Sequence, residues 1–231
     1  MIGELLPESV VAVEAFGEEG VREFGDAPLY PQEEALLERA VAKRRREFTV
    51  VRSCARRAME KLGVPAQPVL PGERGAPQWP DGLTGSMTHC EGYCAAALVR
   101  SADLASLGID AEPHEGLPEG VLSAVALPAE AERLGGLAAG HPEVHWDRLL
   151  FSAKESVYKA WFPLTRRWLD FSEADIDLTP ATGPDGSTHG VFRARLLVPG
   201  PVVGGHRLGH FDGRWTVRRG LVATAVTVHQ G

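Results

Sequence analysis

Two acidic side chains lie two positions apart in the segment 108–113, GIDAEP. On a β-strand, Asp110 and Glu112 would point to the same side, about 6.6–7 Å apart along the chain. Two carboxylates on one face repel each other unless a cation lies between them, and carboxylate oxygens with substrate phosphates are usual ligands of Mg²⁺. The alternative is the solvated face of an amphipathic strand, which the residues alone favour because surface carboxylates are common.

The segment 146–161, WDRLLFSAKESVYKAW, carries a second group of charged residues. At about 100° per residue on a helix, its apolar residues form one stripe: Trp146, Leu150, Ala153, Val157, Ala160 and Trp161. Glu155 and Lys159 fall on the opposite face, and Lys154 lies at the border. A solvated Glu–Lys pair is one interpretation. Aromatic residues flank this face as well: Phe151, Tyr158 and Phe162. They indicate that this face is also covered by other parts of the protein. A covered glutamate beside two lysines requires either mutual ion pairing or a bound phosphate with a metal ion.

A run of basic residues occupies positions 43–57, KRRREFTVVRSCARR, with Glu47 as its single acid. On a helix, the spacing of Arg45, Arg52 and Arg56 defines a basic stripe. The guanidinium group binds phosphate in a bidentate manner. The stripe therefore suits an anionic ligand, and a solvated helix face remains the alternative.

The segment 85–89, GSMTH, ends a loop rich in proline and glycine just before a predicted strand. Ser86, Thr88 and His89 could contact a phosphate through hydroxyl, backbone N–H and imidazole groups. Taken alone, the signal is weak, because a histidine at the junction of a loop and a strand usually caps a neighbouring group.

Two long helices have to position these groups. The first is predicted over 31–62, with Pro31 near its start and Gly63 and Pro65 after its end. The second is predicted over 146–162 and stops at Pro163. A shorter helix is predicted near 128–137.

Strands are predicted in most of the remaining chain, at 93–100, 107–112, 174–178, 191–198, 214–218 and 221–228. The loop 65–85 allows one more around Val69. The fold class is therefore α+β, with two similar halves, 1–113 and 114–231, each a long helix on a mainly antiparallel sheet. The weak similarity between GIDAEP (108–113) and DIDLTP (175–180) is too short to establish a duplication.

Composition excludes several classes of protein. The chain has 231 residues, is 44% hydrophobic and carries a formal net charge of −7, which argues against disorder and against a general nucleic-acid binder. No apolar stretch approaches the roughly 20 residues that span a bilayer. Residues 1–16 lack the basic start of a secretory signal, which predicts a cytoplasmic protein. Neither a P-loop nor a GxGxxG dinucleotide motif is present.

The three cysteines predict reduced thiols rather than disulfides. Cys90 and Cys94 stand close to His89, which raises the question of a zinc site. A structural zinc site needs four ligands, and no second Cys/His pair lies at a suitable spacing. Small buried residues entering a strand are the preferred interpretation.

Taken together, three motifs resemble those of the large, single-chain phosphopantetheinyl transferases of the surfactin-synthetase-activating type. The motifs are GSMTH at 85–89, GIDAE at 108–112 and FSAKESVYK at 151–159, of which the last is the most specific. The segments WPDG (79–82) and KAWFPLT (159–165) resemble members from actinobacteria most closely.

The resemblance implies a monomeric α+β fold with a pseudo-twofold axis and coenzyme A in the cleft between its halves. Asp110, Glu112 and Glu155 would hold Mg²⁺, with Mn²⁺ as an acceptable substitute. The implied phosphate ligands are Lys154, Lys159, Ser86, Thr88 and His89, and, at the 3′-phosphate end, Arg44 and Arg52. Arg74 is the nearest basic residue where related sequences often have lysine in place of Pro71.

The implied reaction is an attack by a serine hydroxyl of an acyl or peptidyl carrier protein on the β-phosphorus of coenzyme A. Phosphopantetheine stays on the serine and adenosine 3′,5′-bisphosphate leaves. Glu155 is the candidate base, directly or through a metal-bound water, and Lys159 would stabilise the leaving phosphate. Carriers of secondary metabolism, polyketide or nonribosomal peptide, are the expected partners. Two alternatives stay open: a non-catalytic module that binds coenzyme A, and a different Mg²⁺-dependent phosphotransferase or hydrolase.

Overall fold

Two antiparallel sheets share a buried apolar layer, and each carries a long helix on its outer face. The computed structural model describes residues 1–183 and 188–231. Its helices are α1 (Gly17–Phe24), α2 (Pro31–Glu34), α3 (Ala42–Lys61), α4 (Val121–Val125), α5 (Pro128–Gly140) and α6 (Trp146–Thr165). Its strands are β1 (Val11–Phe16), β2 (Leu83–Cys90), β3 (Tyr93–Arg100), β4 (Leu104–Pro113), β5 (Ala174–Thr182), β6 (Thr188–Leu196), β7 (Val202–Val203), β8 (His206–Arg207), β9 (His210–Arg218) and β10 (Leu221–His229).

The first sheet has the strand order β1-β3-β2, and α3 packs on one of its faces. Side chains of β3 alternate between two cores. Ala96 and Leu98 contact the core beneath α3, whereas Ala95 and Ala97 face the second sheet. Because both faces of β3 are buried, its sequence is a continuous apolar run rather than an alternating one.

The second sheet has the order β4-β10-β9-β6-β5, and α6 packs against β4 and β10. Leu107, Ile109 and Ala111 of β4 face the first sheet. Gly108 lies on the opposite side, where an added Cβ would be 2.0 Å from the carbonyl oxygen of Ser156. Only glycine therefore allows α6 to approach β4 this closely.

Side chains, not a backbone ladder, join β2 to β4. The backbone N–H of Ile109 donates to Ser86 Oγ at 3.1 Å, and that of Ala111 donates to Thr88 Oγ1 at 3.1 Å. Two hydroxyls thus satisfy donors at the free edge of β4 and hold the two sheets in register. The segment GSMTH lies inside β2, so its expected position in a loop before a strand was wrong.

The predicted helix 31–62 is two helices, so this prediction was wrong in its first third. Short α2 ends at Glu34, and α3 begins only at Ala42. The reason is a long-range bond: Arg56 Nη1 donates to Glu33 Oε2 at 2.9 Å, across 23 positions of sequence. A single straight helix would separate these residues by about 34 Å. The chain therefore folds back before α3, and Gly63, at φ 69°, follows its end as predicted.

Helix α6 continues through Pro163 to Thr165, so the predicted stop at Pro163 was wrong. Proline removes one hydrogen-bond donor without ending the helix. The N–H of Arg166 still bonds to the carbonyl of Phe162 at 2.8 Å. The turn to a left-handed conformation at Arg166, φ 55°, is what ends α6.

The other predicted strands and the helix near 128–137 are confirmed, mostly with longer bounds. No strand forms around Val69. Its N–H bonds instead to Glu33 Oε1 at 2.9 Å and its carbonyl accepts from Arg52 Nε at 3.1 Å, so side chains take the place of a ladder. Both β1 and α1 were missed. The division at 113/114 stays a prediction, and β4, which precedes it, pairs with β10, which follows it.

Within the described ranges, no helix is long and apolar enough to cross a membrane.

Candidate active site

A cleft of about 750 Å³ opens between α3, β2, α6 and the segment 72–79. Helix α3 contributes basic residues to one wall, and α6 contributes an acid and a lysine to the opposite wall. Seven of the predicted site residues line this cleft: Arg44, Arg52, Arg74, Ser86, His89, Glu155 and Lys159. The structure thus gathers cations from both halves of the sequence around one cavity.

One face of α6 turns its charged side chains toward β4. Lys159 Nζ donates to Asp110 Oδ1 at 2.7 Å and to the carbonyl of Ile109 at 3.1 Å. Thr88 Oγ1 donates to the same carboxylate oxygen at 3.3 Å. The second oxygen, Asp110 Oδ2, is buried and has no hydrogen-bond partner among the described residues. Lys159 therefore pairs with Asp110 rather than with Glu155, its neighbour on the helix.

A second ion pair joins α6 to β4 further along the strand. Arg148 Nη1 donates to Glu112 Oε2 at 3.1 Å. Two other nitrogens of the same guanidinium are held by backbone carbonyls: Nε by Glu115 at 3.1 Å and Nη2 by Gly116 at 3.0 Å. Glu112 thus has one anchored oxygen, and no hydrogen bond to its other oxygen is found among the described residues.

Negative charge is incompletely compensated in this region. Burial raises the pKa of Glu155 above its usual value; Asp110 raises it further and Lys159 opposes the shift. Burial and the charge of Asp110 also raise the pKa of Glu112, against the effect of Arg148. Both glutamates are therefore poised to gain a proton or a cation.

The three carboxylates do not form a preassembled metal centre. Within 1–183 and 188–231, no three His, Cys, Asp or Glu side chains are grouped so that they could hold a metal ion. The donor chemistry nevertheless fits a divalent cation, because Asp110 keeps a buried oxygen that has no hydrogen-bond partner among the described residues. Anionic oxygens are the ligands that Mg²⁺ prefers. Binding of a metal ion by all three carboxylates would therefore require their side chains to rearrange.

Lys154 does not join this group, which contradicts the expectation that it contacts a phosphate. It is 3% exposed and belongs to a buried cluster on the far side of the helix. Its ammonium lies 2.8 Å from Glu130 Oε2 and donates to the carbonyls of Phe171 at 2.6 Å and Ala174 at 3.0 Å. All three N–H donors are therefore used, and burial lowers the pKa of Lys154 although Glu130 opposes the shift.

The hydroxyls of β2 also differ from the expectation. Thr88 Oγ1 accepts from Ala111 and donates its single proton to Asp110, so it has none left for a phosphate. Its observed role is to orient the carboxylate. Ser86 only accepts, from Ile109, and its own proton remains available in the cleft wall.

The residues of the basic stripe on α3 have two different roles: some form ion pairs within the protein, and one lines the cleft. Arg45 forms an exposed pair with Glu34 and Arg56 a buried pair with Glu33, and neither arginine lines the cleft. Arg52 lines the cleft; burial lowers its pKa to about 10, which leaves it charged at neutral pH.

His89 and Arg44 form a bonded pair at the cleft wall. Arg44 Nη1 lies 2.9 Å from His89 Nε2. Burial and the charge of Arg44 lower the pKa of His89, so the ring is neutral and accepts the bond. Arg74, across the cleft, lies 5.5 Å from the ring centroid of Trp168.

Sequence reasoning missed three residues of this region. Arg148 had a usable signal, because it shares one helical face with Glu155 and Lys159. Tyr158 lines the cleft, and its buried hydroxyl has no hydrogen-bond partner in the described part of the chain. Glu33, fully buried, holds α2, α3 and Val69 together, and nothing in its local sequence indicates such remote partners.

Comparison with known proteins identifies the family. Residues 32–99 match the model of the 4'-phosphopantetheinyl transferase N-terminal domain, and residues 106–198 match that of the 4'-phosphopantetheinyl transferase superfamily. The chain belongs to this superfamily. It is therefore a transferase, as the three motifs indicated, and the α+β fold class is confirmed.

Relatives match the transferase over nearly its whole length. It is 57% identical to the 4'-phosphopantetheinyl transferase Svp of Streptomyces mobaraensis, over 99% of this chain and 89% of the relative. It is 48% identical to PptT of Mycobacterium tuberculosis, over 99% and 98% of the two chains. It is 47% identical to Npt of Nocardia iowensis, over 98% and 99%. The likeness to actinobacterial members is thus confirmed.

Proposed function

We propose that the transferase moves 4'-phosphopantetheine from coenzyme A to a serine of acyl or peptidyl carrier proteins and releases adenosine 3′,5′-bisphosphate. One observation carries the proposal: Lys159 lines the same cleft as the α3 arginines and bonds to Asp110, whose second, buried oxygen has no hydrogen-bond partner among the described residues. A diphosphate and a divalent cation together supply the charges that this arrangement leaves uncompensated.

The α3 side of the cleft suits the nucleotide end of coenzyme A. Arg44 and Arg52 are charged and line the cavity, and Arg74 faces them from the segment 72–79. His89, neutral and bonded to Arg44, fixes the direction of that guanidinium. Arginine binds phosphate in a bidentate manner, so these residues are proposed to bind the 3′-phosphate and adenosine end.

The α6 side suits the chemical step. Phosphoryl transfer depends mostly on positioning and on neutralisation of charge. Lys159, fixed by Asp110 and Ile109, is proposed to stabilise the leaving phosphate. Glu155 is proposed to accept the proton of the serine hydroxyl, and its raised pKa suits that role.

Asp110, Glu112 and Glu155 are proposed to hold Mg²⁺ or Mn²⁺. When bound, the cation would draw charge from both phosphates. The unpartnered oxygen of Asp110 and the raised pKa of both glutamates support this assignment.

We propose that the transferase acts as a cytoplasmic monomer on carriers of polyketide or nonribosomal peptide synthesis. The three cysteines are free thiols, which suits a reducing compartment. Carriers of this kind are typically acidic and the transferase has a net charge of −7. Docking therefore depends on a local basic or apolar patch near the cleft rather than on overall attraction.

A single assay tests the proposed function. The transferase is mixed with coenzyme A, Mg²⁺ and an apo carrier protein, and the intact carrier is weighed by mass spectrometry. A gain of one phosphopantetheine on the serine is expected. Tight binding of coenzyme A without any gain would instead indicate a binding module, and release of the nucleotide without a carrier would indicate a hydrolase.

A further inference from the structure

The two carboxylates of β4 are anchored in the same way. Asp110 gives one oxygen to Lys159, and Glu112 gives one oxygen to Arg148. Both cations belong to α6. In each carboxylate the other oxygen has no hydrogen bond to any described residue. Each carboxylate is thus held through one oxygen, and its second oxygen is not used by the described residues.

Arg148 does not depend on Glu112 for its own position. The carbonyls of Glu115 and Gly116 hold its Nε and Nη2 at 3.1 and 3.0 Å, and its side chain is 12% exposed. A guanidinium fixed at two backbone points keeps its third donor in place when the glutamate moves. Arg148 therefore acts as a fixed anchor, whereas Glu112 is the adjustable partner.

We propose that Arg148 is a positioning residue for the metal site: by holding Glu112 Oε2 it orients the carboxylate and leaves Oε1 to a divalent cation shared with Asp110. The inference rests on the proposed function, because it requires a metal ion in the reaction. Groups that orient a metal ligand without touching the metal typically contribute about 10–100-fold to metal affinity.

A purely structural role predicts a different result. Arg148 also ties the end of β4 to the connection 114–117, so its loss could lower stability without any change in metal binding. Affinity for the metal ion, measured without turnover, separates the two roles. Mn²⁺ is the suitable probe, because its free and bound forms are distinguished by electron paramagnetic resonance.

The experiment compares Arg148→Gln and Arg148→Lys with the parent enzyme, each titrated with Mn²⁺ in the presence of coenzyme A. We expect Mn²⁺ binding about 10–100-fold weaker in Arg148→Gln and an intermediate value in Arg148→Lys. The matched control is Arg133→Gln, which removes an arginine bonded to Asp175 and to the carbonyl of Ile176, remote from the cleft. Its Mn²⁺ affinity should equal that of the parent.

Binding of Mn²⁺ by Arg148→Gln within twofold of the parent, or more tightly, would overturn the inference. Should Arg148→Gln fail to fold, Arg148→Met takes its place, because it keeps an unbranched side chain but has no donor for Glu112; unchanged Mn²⁺ binding in that variant has the same meaning. Parent enzyme that transfers phosphopantetheine but binds no Mn²⁺ would refute the inference and the proposed metal site, and would leave the proposed transfer reaction intact. Weakened binding in the variants together with a parent that never modifies a carrier would refute the proposed function alone.

Discussion

Lys159 Nζ lies 2.7 Å from Asp110 Oδ1, and this contact connects the middle of α6 to the edge strand β4. The lysine remains partly exposed to the cleft, where a substrate phosphate can reach it. The same ammonium thus fixes the carboxylate and faces the cavity.

We expect Lys159→Met to reduce the rate of transfer by about 10²–10³-fold, the usual effect of removing one donor to a developing negative charge. Steady-state kcat with an apo carrier is the measurement. An unchanged kcat would remove Lys159 from the chemical step.

Substitution of the neighbouring lysine should give the opposite result. Lys154→Met leaves Glu130 buried without its charged partner, and breaking a buried pair costs about 3–5 kcal/mol. Urea unfolding should show this loss, while kcat of the folded fraction stays near that of the parent. If Lys154→Met instead loses turnover while its stability is unchanged, Lys154 would have a role in the active site.

Glu155→Gln should abolish most of the transfer, by about 10²–10⁴-fold for a general base, and should stabilise the metal-free protein at neutral pH. Burial raises the pKa of Glu155 above 4.5. The contribution of this carboxyl to stability is therefore present below pH 4.5 and is lost as pH rises through its folded pKa. The amide of the Glu155→Gln variant is neutral at pH 7, so no charge is buried. The variant should therefore melt at a higher temperature than the parent at this pH.

The same shift should be measurable in the metal-free protein. Because burial and Asp110 outweigh Lys159, the carboxyl of Glu155 should titrate above the usual 4.5 of glutamate. An NMR titration of the metal-free transferase, with Glu155→Gln to assign the signal, measures this pKa, and a value at or below 4.5 would contradict the effect of burial.

Gly108→Ala should separate α6 from β4. The added methyl would lie 2.0 Å from the carbonyl oxygen of Ser156, and overpacking of this kind costs about 1–3 kcal/mol or more. Both stability and turnover should fall, because the Lys159–Asp110 contact depends on the same approach. Gly136→Ala in α5, with nothing within 4 Å of the new methyl, is the matched control and should stabilise by about 0.5–1 kcal/mol.

Binding of the carrier should respond weakly to salt. If docking is mainly apolar, added salt should leave the affinity unchanged or improve it, because transferase and carrier are both acidic overall. Titration of an apo carrier at rising ionic strength tests this, and a steep loss of affinity would indicate that docking depends on charge pairing.

Periodicity was sufficient for the elements that carry the acids. The predicted strand 107–112 lies within β4, and the helical stripe of 146–161 is the buried side of α6. Periodicity could not predict the environment of Lys154, because the side chain at the border of the apolar stripe can turn to either side. Its ion-pair partner decides which side it takes. That partner, Glu130, lies on another helix.

Long-range bonds account for the main errors. The break before α3 depends on Glu33 reaching Arg56, and the irregular course at Val69 depends on the same carboxylate. Motif resemblance identified the cleft residues of α3 and α6. The resemblance did not predict that the Thr88 hydroxyl donates its hydrogen bond to Asp110.

The two hydroxyl bonds from Ser86 and Thr88 to β4 have a consequence for solubility. An outer strand with unbonded amides is a template on which a second chain can assemble. Here the amides of Ile109 and Ala111 are already occupied, although no further strand of the described residues pairs with that edge. The strand that bears the acids is thereby shielded from intermolecular aggregation by bonds within its own chain.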